Sequence, residues 1–145
     1  MVTIRAFSMD DIDIICAFKR ESVKENFPGS NFNEALFRRI FLLSAEKNPN
    51  GVRVAEENGH VVGYIWFKIV ESSVGRFGRI EHLFVKRGYR GQGIAKQLIA
   101  AAEEYFRLSG IGKVKLTVTI ANDTAVSLYR KLGYVPKRYK MEKDL

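Results

Sequence analysis

The feature that most constrains this chain is a strand that runs into a glycine-rich loop, which in turn opens an amphipathic helix. Arg79 to Val85 reads as strand and Gly88-Tyr89-Arg90-Gly91-Gln92-Gly93 as loop, and Ile94, Leu98, Ile99, Ala102, Tyr105 and Phe106 then recur at helical spacing until Gly110 closes the run. Such a junction leaves the first N–H groups of a helix without partners, at the positive end of its dipole. It therefore suits a diphosphate held without a metal. Two commoner phosphate-binding patterns fail on spacing. A P-loop requires Lys-Ser/Thr where Ile94-Ala95 stands, and a dinucleotide fingerprint requires a third glycine where Lys96 stands. The loop by itself also allows an ordinary tight turn in which the glycines serve only backbone geometry.

The flanking sequence places this junction in a mixed α/β chain. Val2 to Phe7 alternates as a strand, and Ser8 with Asp10 and Asp11 opens a helix expected to reach about Asn26. After the Phe27-Pro28-Gly29-Ser30-Asn31 break, Ala35, Leu36, Ile40, Leu43 and Ser44 mark a second helix. Val52 to Glu56 and His60 to Val70 are strand-formers joined by Asn58-Gly59, a tight-hairpin signal, and Val70 to Gly78 reads as loop. Val114 to Ile120 alternates as a half-buried strand, Asp123 to Leu132 as a short helix ended by Gly133, and Tyr134 to Glu142 as a closing strand. The expected order is β-α-α-β-β-β-α-β-α-β, a largely antiparallel mixed sheet flanked by helices.

No repeat or Pro/Gly/Ser-rich linker divides the chain, so residues 1–145 read as one domain. With 145 residues and 46% hydrophobic side chains it can bury a core without disulfides or metal. The single Cys16 cannot form an internal bridge and lies among Ile12, Ile15 and Phe18, where packing is its expected role. The N-terminus lacks the pattern of a secretory signal, no segment is apolar enough to span a bilayer, and a reducing cytoplasm is the expected compartment. His60 and His82 have no partners at ligand spacing, so no metal is implied, and Trp66 reads as sheet core. The net charge of +8 attracts anions, nucleic acid or a small ligand alike, but the basic residues are spread along the chain.

Arg90-Gly91-Gln92-Gly93-Ile94-Ala95 resembles the Arg/Gln-x-x-Gly-x-Gly/Ala motif of the GNAT superfamily of acyl-CoA-dependent N-acetyltransferases. Ile80 to Val85 resembles the family's strand before that loop, and Asn122 to Tyr134 its later Asn-x-x-Ala-x-x-Leu-Tyr-x-x-x-Gly-Phe/Tyr block. The specific motifs cover only Ile80 to Ala95 and Ala121 to Tyr134. The resemblance implies acetyl-CoA as cosubstrate, with Leu83, Phe84 and Val85 holding the pantetheine arm as an added strand. It places the pyrophosphate on the N–H groups of Gly91, Gln92, Gly93, Ile94, Ala95 and Lys96, with Arg90 and Arg87 nearby and Asn122 beside pantetheine as well as capping a helix.

Acetyl transfer to an amine needs a neutral nucleophile, charge stabilisation at the carbonyl oxygen and a donor for the departing sulfur. The resemblance makes Glu81 a base, acting through water, as in polyamine-type members, and Tyr129 the group facing sulfur. A backbone N–H near Phe84 or Val85 is the expected oxyanion donor. In members resembling ribosomal-protein N-terminal acetyltransferases the base aligns with Thr117, and a threonine cannot serve, which leaves Glu81 or ordered water. Direct attack in a ternary complex on a small-molecule amine, a protein lysine or an N-terminal amine is the expected reaction. Glu81-x-Leu83-x-Val85 leans towards a polyamine, whereas the net charge of +8 repels one unless the groove is locally acidic. The competing reading is a non-catalytic CoA-sensing or basic nucleic-acid-binding module on the same fold. Pairing of the closing strand at a sheet edge would give a route to a homodimer.

Overall fold

In the computed structural model, which describes all of residues 1–145, one sheet carries the helices on its two faces. The strands are β1 (Thr3–Ala6), β2 (Val52–Glu57), β3 (His60–Ser72), β4 (Gly75–Val85) and β5 (Val114–Lys115), and the helices α1 (Ile12–Asn26), α2 (Glu34–Lys47), α3 (Ile94–Leu108) and α4 (Asp123–Lys131). Strand order follows the chain; all pairs are antiparallel except β4 with β5. β3 alternates between faces, and each face carries its own apolar cluster. Tyr64 and Trp66 join Ile15, Phe18, Phe37 and Phe41 beneath α1 and α2, whereas Ile65 and Phe67 join Leu98, Ile99, Ala102 and Phe106 beneath α3.

Local sequence chemistry accounts for the element ends. Ser8 and Asp11 form a capping box, and the Asp11 carboxylate also binds Arg5 at 2.9 Å through both oxygens. Asn33 caps α2 and Asn122 caps α4, each accepting a backbone N–H three residues on. The Asn58-Gly59 turn has φ of 51° and 80°, the left-handed pair that a tight hairpin requires. β3 and β4 run further than expected: Val70 to Gly78 is mostly strand, with Ser73 and Val74 at the turn. Ser72 stabilises that turn by donating to the Gly75 carbonyl at 2.7 Å.

Two expected strands are corrected. Only Val114 and Lys115 of the predicted Val114 to Ile120 strand pair, with Gly78 and Arg79, before the chain leaves β4. The predicted closing strand, Tyr134 to Glu142, does not form. No strand lies beside it to take its hydrogen bonds, Pro136 has no N–H to offer, and Val135 and Tyr139 are 65% and 96% exposed. The homodimer route through that strand falls with it.

Candidate active site

The site begins at an irregularity in β4. Trp66 pairs with His82 and Phe67 with Ile80, so Glu81 is an extra residue, a β-bulge that bends the strand where β5 parts from it. Beyond the bulge, Lys86 N–H donates to Val62 carbonyl at 2.8 Å; by antiparallel alternation Phe84 also turns its backbone to β3, while Leu83 and Val85 turn theirs to the open side. The sheet therefore splits between β4 and the Leu116 to Thr119 segment, and a cleft of about 280 Å³ occupies the split, with α1 and α4 closing it.

Past the cleft, β4 ends at Val85 and the chain enters the glycine loop. Gly91 and Gly93 have φ of 79° and 82°, where a side chain would be strained, and open space beyond them. The N–H groups of Gly91 through Lys96 donate to no protein acceptor; the first bond of the α3 region is Gln97 N–H to Gly93 carbonyl at 3.1 Å. The Ile94 side chain is buried in the α3 core, so only its backbone faces the loop. These free donors on a 15-residue helix fit a pyrophosphate, and the exposed β4 edge fits an extended amide-bearing arm.

The predicted residues fall into place unequally. Tyr129 lines the cleft half-buried, its hydroxyl pushed up to about 12 by burial. Its position follows from the end of α4: Gly133 adopts φ 93°, Tyr134 N–H bonds Tyr129 carbonyl at 2.9 Å, and the Tyr134 ring meets the Tyr129 ring edge-on at 5.8 Å. Glu81 also lines the cleft, but its carboxylate accepts from Arg79 Nε at 2.5 Å and lies 3.7 Å from Lys68 Nζ. Asn122 spends its amide on structure, capping α4 with Oδ1 and donating to Asn26 Oδ1 of α1 at 3.1 Å. Arg90 is turned back from the loop. Its Nε donates to Val85 carbonyl at 2.7 Å, its Nη2 to Glu25 at 3.1 Å, and its guanidinium lies 5.2 Å over the Phe84 ring. Arg87 reaches the same glutamate at 3.3 Å. Gln92 folds onto the Gly88 carbonyl at 3.5 Å, Ala95 is half-buried, and Lys96 is exposed and enters no ion pair.

Sequence reading missed Lys19 and His82. They are 63 residues apart, yet Lys19 Nζ lies 2.9 Å from His82 Nε2 on the cleft wall. The imidazole lies against Phe37 and edge-on to Trp66, and burial together with the Lys19 charge pushes its pKa down to about 3. Helical periodicity puts Lys19, Ser22 and Asn26 on one stripe of α1, but nothing local shows that this stripe faces β4.

An open sheet split at a bulge, beside a helix start with free donors, is the arrangement that the sequence resemblance implies for holding an acyl-CoA. The model of the acetyltransferase (GNAT) family matches residues 16–134 of the chain. An uncharacterised N-acetyltransferase of Methanocaldococcus jannaschii is 33% identical over 97% of this chain and 86% of its own length. A putative ribosomal protein bS18-alanine N-acetyltransferase of Bacillus subtilis is 26% identical over 92% of this chain and 80% of its own. The crystal structure of a GCN5-related N-acetyltransferase from Ralstonia eutropha superposes with a TM-score of 0.83 at 23% identity, covering 100% of this chain and 99% of that one. The chain belongs to the GNAT acetyltransferase family and is an N-acetyltransferase.

Proposed function

We propose that this chain transfers the acetyl group of acetyl-CoA directly to a primary amine while both are bound. The observation that supports this is that β4, whose outer edge opens at the split, runs in sequence into the loop that carries the free N–H groups of Gly91 to Lys96. Acetyl-CoA supplies a thioester carbonyl whose carbon–sulfur bond breaks as the amine nitrogen bonds to carbon. Leu83 and Val85 hold the pantetheine arm along the β4 edge, and Val85 N–H, which faces the split while Phe84 N–H faces β3, is the donor to the carbonyl oxygen. Glu81 or an ordered water takes the proton lost by the amine; Arg79 holds the carboxylate oriented at the cleft. Tyr129 donates a hydrogen bond to the departing sulfur. Because its hydroxyl stands at about 12 and a thiol near 8.5, complete proton transfer to sulfur is uphill, so the phenol stabilises charge without becoming a phenolate.

A covalent acetyl-enzyme through cysteine has no residue to use. Cys16, the single cysteine, is 0% exposed in the α1 core, and burial pushes its thiol pKa up. The test is thiol release from acetyl-CoA against a panel of primary amines, with the product identified by mass. Tyr129→Phe is expected to lower kcat about a hundredfold with acetyl-CoA affinity unchanged. Full turnover in both Tyr129→Phe and Glu81→Gln would remove the side-chain roles.

A further inference from the structure

The charges around the cleft are unbalanced in a way that bears on the acceptor. Its one carboxylate, Glu81, is met by two cations from the sheet, Arg79 at 2.5 Å and Lys68 at 3.7 Å. The other fixed charge on the wall, the Lys19 ammonium, enters no ion pair, and its one protein partner is the neutral imidazole of His82 at 2.9 Å. An ammonium only donates, so Nε2 of His82 accepts and its proton sits on Nδ1. That nitrogen is buried with no hydrogen-bond partner. The fold thus leaves a buried imidazole N–H unmatched while fixing the tautomer that aims Lys19, and two of the three N–H bonds of Lys19 stay free. A partly buried cation without a counter-ion is costly, and burial lowers the pKa of this lysine accordingly.

We propose that Lys19 reads the acceptor and that the acceptor is an amine whose own molecule carries a carboxylate, with His82 as a positioning residue that aims the ammonium at it. The carboxylate completes the ion pair that the protein leaves open. A polyamine brings a second positive charge towards Lys19 instead, and Glu81, already paired, does not offset it. The same ammonium also favours the neutral, nucleophilic form of a neighbouring amine, since a like charge disfavours its protonation. The inference rests on the cleft being the acceptor site of the proposed transfer. It reverses the lean towards polyamines that the Glu81-x-Leu83-x-Val85 pattern invites.

The experiment is a chemical-shift titration of the whole chain, with CoA present in saturating amount, using matched probes: alanine against alaninamide, the capped dipeptide Asp-Gly-amide against Asn-Gly-amide, and spermidine. Binding of the carboxylate member at least tenfold tighter than its amide in either pair is expected, the pair that responds telling a free amino acid from a peptide end. Lys19→Met is expected to level that ratio and Lys19→Arg to keep most of it. His82→Phe, which retains the aromatic packing, is expected to reduce the ratio while leaving amide binding unchanged, an effect that loss of packing alone would not produce. Lys137→Met, in the exposed tail, should leave the ratio intact. Equal or tighter binding of the amides or of spermidine, or no binding by any probe, overturns the proposal. The CoA titration that precedes each series reports on Gly91 to Lys96 and so judges the donor site separately: CoA binding with a failed acceptor series removes this inference alone, and absence of CoA binding removes the proposed function.

Discussion

Tyr129, through burial, and His82, through burial and the neighbouring Lys19 charge, show how far surroundings can fit a side chain for the site. With its hydroxyl at about 12, Tyr129 stays protonated throughout the range in which an amine acceptor becomes neutral. The kcat profile should therefore show no falling limb from this phenol up to pH 10, and Tyr129→Phe should lower the plateau without changing its shape; a limb that vanishes in the variant would contradict the role. His82 makes a prediction about stability. Its folded pKa is about 3 and an unfolded imidazole titrates near 6.5, so below 6.5 the unfolded chain binds a proton that the folded chain refuses. This contribution is complete above pH 6.5 and is lost at about 1.4 kcal/mol per pH unit as the pH falls towards 3. Urea unfolding between pH 7 and pH 4 should show a shallower acid slope in His82→Phe than in the native chain, and equal slopes would mean that the imidazole is not held neutral by the fold.

Among the elements, β4 does most to build the site, because it changes partner and direction along its length. In its first half Gly78 pairs with Val114, and a β-carbon there would lie 2.7 Å from the Phe106 ring; the absent side chain lets α3 close onto the sheet where β5 joins. Gly78→Ala should cost about 1–3 kcal/mol by overpacking, read as a lower urea midpoint with an unchanged slope. Three residues after Gly78 the bulge at Glu81 turns the strand from β5 and opens its outer edge. The ends of α3 and α4 follow from residues adjacent in sequence. Gly110 and Gly133 take left-handed φ of 76° and 93°, and the residue after each donates back across the last turn, Ile111 to Phe106 carbonyl and Tyr134 to Tyr129 carbonyl, both at 2.9 Å. The second of these holds Tyr129 in place, so an element that was readable locally delivers a residue to the site.

For the whole molecule, two apolar clusters grip the two faces of one sheet, and the cleft forms where that sheet comes apart. A ligand that bridges β4 and the start of α3 ties this gap, so binding should register as global stability. Acetyl-CoA and CoA at about a hundred times their dissociation constants should each stabilise by about 2.7 kcal/mol, a shift of several degrees in Tm. ATP and NAD, which lack the pantetheine arm, should give much less; equal shifts from all four would indicate non-specific attraction of anions to a chain of net charge +8.

What the sequence by itself determined were features whose causes lie within a few residues: the glycine loop and its free donors, the Asn122 cap, the Asn58-Gly59 turn and the amphipathic stripe of α3. Backbone sterics and helix-end hydrogen bonding act over one turn, and a short motif carries them whole. The tertiary structure alone decided which distant groups meet. It set Lys19 against His82, turned Arg90 from the loop onto Glu25, gave Glu81 two cations, and left Leu116 to Ile120 and the tail without the strand partners their alternation anticipates. A strand exists only where a neighbour supplies its hydrogen bonds, and a charge has a partner only where packing brings one. Both depend on register and on the docking of helices across the sheet, which a local pattern does not contain.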